Sequence, residues 1–545
     1  MALKPIKSLS FTHPRRLGQF TTNSISPSST ARLAAQPLCF ISPPGSFRQV
    51  NHQTEILNVT SHGVFSHSVD VMRASASCFA TRAFSGSIPS LLHDDVISCY
   101  VPVYVMLPLG TINLKCEVSD QEGLINDLRL LKSTGVDGVM VDCWWGIVED
   151  QQPRQYNWSG YKRLFQIIKE LDLKLQVIMS FHRCSGNLGD DTMIPLPSWV
   201  TKVGNSNPDI YFTDKDGRRS TECLTCGIDQ EPVLQGRTAI EVYADFMRSF
   251  RTELDQFFKD GTISKILVGL GPCGELRYPS FPKEYGWRYP GIGEFQCYDH
   301  YLMISLRKAA EEIGYPCWGH GPEDAGSYNS RPSDIKFFRD QGKCSESRSF
   351  YSRFFLGWYS KILIDHADMV IMQANLMFKG TPIAAKVACV HWWYDTTTRA
   401  AEQTAGFDNS WVGDGYEPIV TTLKKYDAQL HFTCVEECKS MQEEVDFPEA
   451  VSNREELIWQ VQATAWRVGV PVACEKAVPF FGRNEYKKIL KDMKSIENRN
   501  LKGGVHLVGF TYLRLCPALF EETKFSQFKH FVKKMHGEEI LDDCT

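Results

Sequence analysis

The sequence predicts an α/β fold, a closed (β/α)8 TIM barrel whose long βα loops form one functional face. Three observations predict it: eight short apolar runs, helix-like amphipathic segments between them, and no Gly/Ser-rich or charged linker after Val101. Near-continuous apolar strands are buried on both faces, as parallel sheets require. About eight βα units in one uninterrupted domain favour a closed barrel, and a doubly wound open sheet is the alternative.

Each predicted strand is a short apolar stretch rich in β-forming residues. The predicted strands span residues 101–109, 138–145, 173–182, 263–271, 384–393, 430–436, 470–475 and 505–515. Each predicted helix lies in a segment where apolar residues recur at helical spacing. The predicted helices span residues 124–134, 161–171, 239–258, 295–313, 351–377, 455–468 and 524–535.

The composition excludes several classes of function. The chain has 545 residues, 43% of them hydrophobic, and a formal net charge of −5. We expect no nucleic-acid partner, because phosphate contacts need clustered Lys and Arg. The sequence has no long apolar run, so we expect no membrane span. Its 18 cysteines are too dilute for a disulfide scaffold, and several lie in apolar runs, which fits a reducing or stromal compartment.

The N-terminal stretch differs from the rest of the chain. It has no acidic residue before Glu55 and is rich in Ser, Thr and basic side chains. This composition is typical of an organelle transit peptide, with an ordinary disordered tail as the alternative. We expect a transit peptide and disordered segment at residues 1–95, the barrel domain at 96–540 and a tail at 541–545. The hydroxyl content favours the chloroplast stroma over the mitochondrion.

Six polar or ionisable residues follow the apolar runs where the predicted strands end. The carboxyl ends of all barrel strands converge on one face, so these side chains would meet there. A single polar residue in such a place is more often a helix cap or a solvated loop residue. A group of carboxylates, imidazoles and a guanidinium at one face instead indicates a functional site. The six residues are Asp142, His182, Glu275, His391, Glu475 and Arg514.

Two short motifs do not indicate a cofactor or metal. Residues 269–274 match GxGxxG after a strand, but a dinucleotide site needs a helix at the third glycine, and Pro279 and Pro282 prevent one. Cys223 and Cys226 form a CxxC pair that lacks a second CxxC or a nearby His pair, so a zinc site is not expected. We therefore expect no cofactor and no metal.

Longer segments carry a resemblance to a known family. Residues 271–280 read Gly-Pro-Cys-Gly-Glu-Leu-Arg-Tyr-Pro-Ser, and residues 181–190 read Phe-His-Arg-Cys-Ser-Gly-Asn-Leu-Gly-Asp. They resemble the catalytic and flexible-loop signatures of plant β-amylases, glycoside hydrolase family 14. Further blocks match in order along residues 101–537. The resemblance implies a (β/α)8 barrel that removes maltose from the non-reducing ends of starch-type α-1,4-glucans by inversion, and plastid members act in starch breakdown.

The resemblance also implies roles for single positions. Glu275 would be the general acid and Glu475 the general base, held roughly 6.5–9.5 Å apart so that a water fits between the base and the sugar. Arg277, two residues after the acid, would lower the pKa of Glu275 if it faced the same way, as residues two apart do in an extended stretch. The resemblance implies instead that it points elsewhere or pairs with another acid. The residues implied to contact substrate are Asp142, His182, Asp190, Lys386, His391, Thr433, Lys476, Ala477 and Arg514.

Several positions depart from the family pattern near the proposed base. Residues 474–478 read Cys-Glu-Lys-Ala-Val where the family usually reads Gly-Glu-Asn-Ala-Leu. A cation at Lys476 within about 4–6 Å of Glu475 would lower the pKa of that carboxyl by about 1–3 units and weaken it as a base. Arg183 and Ser185 replace usual residues of the flexible loop. The alternative to an active enzyme is therefore a weak or inactive relative that binds glucan or regulates starch metabolism.

Overall fold

A computed structural model of the chain describes residues 100–185, 192–339, 350–410, 413–433, 445–476, 481–494 and 507–538. In chain order its strands are β1 (Val103–Met106), β2 (Gly138–Trp144), β3 (Lys174–Ser180), β4 (Cys184–Ser185), β5 (Met193–Ile194), β6 (Tyr211–Thr213), β7 (Arg219–Leu224), β8 (Ile263–Val268), β9 (Glu275–Leu276), β10 (Ile383–Ala388), β11 (Gln429–Thr433), β12 (Val472–Lys476) and β13 (Leu507–Tyr512).

The α-helices of the described residues lie mainly between these strands. They are α1 (Gln121–Ser133), α2 (Trp145–Val148), α3 (Ser159–Glu170), α4 (Ser198–Ser206), α5 (Ala239–Glu253), α6 (Asp255–Lys259), α7 (His300–Glu312), α8 (Lys336–Arg339), α9 (Phe350–Met377), α10 (Ala400–Thr404), α11 (Glu417–Lys425), α12 (Arg454–Val468), α13 (Arg483–Lys494) and α14 (Glu522–Met535). Within the described ranges, no helix is both long enough and apolar enough to cross a membrane.

Eight strands run parallel and close into a barrel. Their order is β1-β2-β3-β8-β10-β11-β12-β13, and β13 pairs with β1 to complete the circle. The short strand β9 adds to β10 beyond the end of β8. Two antiparallel pairs, β4–β5 and β6–β7, lie in the long connections after β3. The prediction of a closed (β/α)8 barrel is confirmed.

Each of the eight predicted apolar runs overlaps one barrel strand, but two predicted helices differ from the structure. The helix expected over residues 239–258 is divided into α5 and α6, because Leu254 between them leaves the helical conformation (φ −114, ψ 17). The helix expected over 295–313 begins only at His300. The carboxylate of Asp299 accepts hydrogen bonds from the backbone N–H groups of Tyr301 and Leu302, which fixes the start of α7 there.

The strands alternate between an inner and an outer apolar layer. The outer residues join the helices in one large core, whereas a small separate cluster fills the barrel interior. Side chains two positions apart on a strand share a face. Asp142, two residues after Met140, and Lys386, two residues after Ala384, therefore lie on the inner face next to this cluster. A polar layer therefore covers the inner cluster at the carboxyl end of the barrel. The inner cluster consists of Met106, Met140, Ile178, Leu267, Ala384 and Leu513.

Candidate active site

Glu275 lies at the carboxyl end of the barrel in β9. The turn before it has left-handed backbone at Cys273 and Gly274 (φ 56 and 75). This turn places Glu275 beside Lys386 of β10, its partner in the strand register. The carboxyl group is largely buried, and the hydroxyl of Thr433 on β11 donates a hydrogen bond to its Oε1.

Arg277 pairs with Glu275 itself. Its Nε donates to Oε2 of Glu275 at 2.7 Å, and the two side chains are 15% and 12% exposed. The expectation that this guanidinium points elsewhere or pairs with another acid is therefore wrong. The physical reason is a tight turn, in which the backbone N–H of Arg277 donates to the carbonyl oxygen of Glu275 at 3.0 Å and the two side chains meet. The ion pair fixes the orientation of Oε2.

Glu475 lies on β12 and is 5% exposed. Lys386 Nζ lies 2.9 Å from its Oε1 and 2.8 Å from its Oε2, and His431 Nε2 lies 2.9 Å from Oε2. Burial alone would raise the pKa of this carboxyl, but the charge of Lys386 and the contact with His431 outweigh burial and lower the pKa to about 2. Glu475 is therefore ionised near neutral pH, which is the state a general base needs.

The cation in contact with Glu475 is Lys386 of β10. Lys476 follows Glu475 directly on β12, and adjacent residues of a strand belong to opposite faces. The backbone oxygen of Lys476 accepts a hydrogen bond from the N–H of Leu513 at 3.2 Å. Lys386, on a neighbouring strand, is therefore the largest influence that lowers the pKa of Glu475.

Thr433 and Lys386 connect the two acids. Thr433 is the register partner of Glu475 and bonds to Glu275. Lys386 is the register partner of Glu275 and bonds to Glu475. Both carboxyl groups therefore lie at the same end of the barrel, linked through the side chains of β10 and β11.

Asp142 and His182 extend the site across β2 and the end of β3. Ser180 Oγ donates to Asp142 Oδ1 at 2.8 Å. Burial raises the pKa of Asp142 although Arg514 and Lys386 oppose the shift. Burial, with the charges of Lys386 and Arg277, lowers the pKa of His182 to about 3, so its imidazole is neutral. A neutral imidazole and a buried carboxyl can each bind sugar hydroxyls.

His391 and Arg514 are two further residues of the predicted site, and the charge of Arg514 acts on Asp142. His391 Nδ1 lies 2.6 Å from Ser452 Oγ, and burial, with Arg454, lowers the pKa of its imidazole to about 4. Arg514 Nη1 donates to the backbone oxygen of Leu107 at 2.8 Å. Two further predicted contact residues, Asp190 and Ala477, lie outside the described residues.

The sequence reasoning missed His431. This residue stands inside an apolar run as Leu-His-Phe, where a histidine gives no sign of function, and its partner Glu475 is 44 positions away. Its position two residues before Thr433 could have indicated a place on the same inner face, since alternate residues of a strand share a face.

A second group was also missed, beside the CxxC pair. The side-chain atoms of Cys226, Asp229 and His366 that could bind a metal ion all lie within 4.8 Å of one another. His366 Nδ1 contacts Asp229 Oδ2 at 2.7 Å in a pair whose side chains are 7% and 5% exposed. Because the histidine is 137 positions from the aspartate, motif spacing could not predict this buried ion pair.

Comparison with known proteins decides the family. A family model described as "Glycosyl hydrolase family 14" matches residues 104–539. The chain belongs to glycosyl hydrolase family 14.

Its relatives in the family are β-amylases. "Beta-amylase 2, chloroplastic" from Arabidopsis thaliana is 58% identical over 442 residues, which cover 81% of this chain and 80% of that protein. The β-amylase of Glycine max is 45% identical over 455 residues, covering 83% and 90%. The catalytic domain of β-amylase from Paenibacillus polymyxa superposes with a TM-score of 0.64 at 29% identity, covering 80% of this chain and 98% of that domain.

These findings establish the enzyme class. The family 14 chain is a glycoside hydrolase with β-amylase function, as the sequence predicted, and the comparisons do not favour the alternative of an inactive regulatory relative.

Proposed function

We propose that this family 14 enzyme hydrolyses α-1,4 bonds of starch-type glucans from their non-reducing ends and releases maltose with inversion. Glu275 is the general acid and Glu475 the general base. The observation that carries the proposal is the pairing of Glu475 with Lys386 and His431, which keeps this carboxylate ionised. Glu275, at the same end of the barrel, instead accepts from the hydroxyl of Thr433 and pairs with Arg277. Inverting hydrolysis needs two such carboxyl groups, one to protonate the leaving oxygen and one to activate water.

The proposed reaction is a single displacement. Glu475 takes a proton from a water molecule while the water oxygen attacks the anomeric carbon. The bond from that carbon to the glycosidic oxygen breaks, and the leaving oxygen takes the proton of Glu275. The attack from the opposite face of the ring inverts the anomeric configuration.

The other buried polar groups of this face bind sugar hydroxyls in the proposal. Asp142 offers carboxyl oxygens, His182 and His391 offer neutral imidazoles, and Arg514 offers N–H donors. The predicted contacts of Asp190, Lys476 and Ala477 remain part of the proposal.

The test replaces each acid by its isosteric amide in the full-length chain. Glu275→Gln and Glu475→Gln should each lower kcat for maltose release from soluble starch by at least about 10²-fold, because each removes a general acid or base. Glu253→Gln makes the same change in a half-exposed ion pair with Lys162 and should retain the rate. Wild-type rates in either active-site variant would refute the assigned role.

The proposed location is the chloroplast stroma. It is supported by the acid-free, basic N-terminal composition and by the chloroplastic relative. Fusion of residues 1–95 to a fluorescent protein should direct the fusion into plastids, and retention in the cytosol would contradict the proposed transit peptide.

A further inference from the structure

His431 lies on β11 inside the barrel, directly beside the proposed base. It is 1% exposed, and its register partners are Lys386 on β10 and Ala473 on β12. Its Nε2 contacts Oε2 of Glu475 at 2.9 Å. Its Nδ1 is buried and finds no hydrogen-bond partner among the residues that the structure describes. All of its described polar contact is therefore directed at one oxygen of Glu475.

The contact defines the protonation of the imidazole. An ionised carboxylate only accepts hydrogen bonds, so Nε2 must carry a proton. The titratable groups that act on His431 are Glu475 of β12, Lys386 of β10 and Lys265 of β8. Burial lowers the pKa of His431, and the two lysines add to this shift against the pull of Glu475. The ring is consequently neutral, with its proton on Nε2 and a free lone pair on Nδ1.

The two oxygens of Glu475 are not equivalent. A carboxylate has about four acceptor positions, two on each oxygen. Lys386 Nζ donates a hydrogen bond to Oε1 at 2.9 Å and forms an ion pair with Oε2 at 2.8 Å, whereas His431 contacts only Oε2. Among the described residues, Oε2 is therefore contacted by two groups and Oε1 by Lys386 alone, so Oε1 is the oxygen to which a water molecule can more readily donate.

We infer that His431 is a positioning residue that occupies Oε2 of Glu475, so that Oε1 takes the proton of the attacking water. The inference rests on the proposed function, because it assigns His431 a task only if Glu475 is the base. In the step, the water O–H bond breaks and its proton passes to Oε1. The water oxygen bonds to the anomeric carbon as the glycosidic bond breaks, and the proton of Glu275 passes to the leaving oxygen. His431 keeps its own proton throughout.

The experiment compares two replacements of His431 in the full-length enzyme. His431→Gln places an amide N–H donor at a similar reach, whereas His431→Leu has a similar volume and no donor. We expect H431L to lower kcat on soluble starch by about tenfold to 10²-fold and to change KM far less. The expected loss of kcat is smaller than the full rate enhancement that a general base provides, because Glu475 itself is still present. The acid limb of its kcat–pH profile should move to higher pH. H431Q should recover most of kcat and the wild-type profile.

The control is Gln429→Leu, a polar-to-apolar change two residues earlier on the same strand, which should leave kcat unchanged. The inference is overturned if H431L keeps the wild-type kcat and profile, or if H431Q is as impaired as H431L. Both results would show that donation to Oε2 is not what His431 supplies.

A stability measurement separates this inference from the proposed function. In a double-mutant cycle with H431L and E475Q, the changes in the free energy of unfolding should be non-additive, since the residues are in contact. Additive changes would overturn the inference even if the enzyme is active and E475Q is not. Absence of maltose release by the wild type would refute the proposed function, and with it the role of His431, whatever the cycle gives.

Discussion

Lys386 provides a direct test of how the base is held ionised. Lys386 and Glu475 are each 5% exposed, and Nζ contacts both carboxylate oxygens at 2.8 to 2.9 Å. The pKa of Glu475 falls from the ordinary value of 4.5 to about 2, with Lys386 as the largest lowering influence. This lowering of the pKa corresponds to about 3–4 kcal/mol of folding free energy, at about 1.4 kcal/mol per pKa unit.

The sign of the pH dependence follows from the lowered pKa. A carboxyl whose pKa is lower in the folded than in the unfolded state contributes its full stabilisation above about pH 4.5, and this is lost as the pH falls towards 2. Lys386→Met removes the charge and keeps an apolar chain of similar length. We expect it to lower the free energy of unfolding by about 2–3 kcal/mol at pH 7 and by clearly less at pH 3. The loss at pH 7 is smaller than the full contribution because His431 still contacts Oε2 of Glu475.

The assays are urea unfolding at pH 7 and pH 3 and the pH profile of kcat. Since the pKa of Glu475 should rise by about 1–3 units without the cation, the acid limb of kcat should move towards neutral pH. Lys425→Met is the matched control, because its ion pair with Asp368 lies at the surface, where solvent screening leaves little net stabilisation. Equal stability of K386M and wild type at pH 7, or an unmoved acid limb, would refute the reasoning.

Three further changes test other parts of the account. His366→Leu leaves Asp229 buried without its ion-pair partner and should cost about 3–5 kcal/mol in urea unfolding; a loss below 1 kcal/mol would contradict the buried pair. Asp299→Ala removes the N-cap of α7 and should cost about 1–2 kcal/mol, whereas unchanged stability would show that α7 starts without it. Lys476→Asn should change kcat for maltose release by less than about tenfold, or about 1.4 kcal/mol in activation free energy, because Lys386 is the cation in contact with Glu475. A larger gain in kcat would show that Lys476 is inhibitory.

The barrel could be predicted because its strands are buried on both faces. The runs around Val139 and Ile266 are mostly apolar and almost entirely buried, and this leaves a parallel sheet as the simplest solution. The short helices α4, α11 and α13 were not predicted. Their apolar residues do recur at helical spacing, but α4 and α11 have only nine residues each and α13 has a strongly polar sequence, so the pattern is easily overlooked.

Lys386, Thr433 and Asp190 were assigned only through the resemblance to family 14. From the residues alone, the site could be predicted only where a polar residue follows an apolar run. Glu275 and Glu475 were found in this way, and the structure brings them to one end of the barrel. Contacts between distant residues could not be predicted. The expectation for Arg277 failed because sequence gives no side-chain direction in an irregular segment, and His431 was missed because its partner is on another strand.

The stereochemistry of the first product tests the central claim most directly. Maltose released from soluble starch can be followed by proton NMR before its anomers equilibrate. If Glu475 activates water on the face opposite the bond that Glu275 protonates, the product appears first as the β-anomer. Initial release of the α-anomer would contradict the account, because it would require retention through a covalent intermediate.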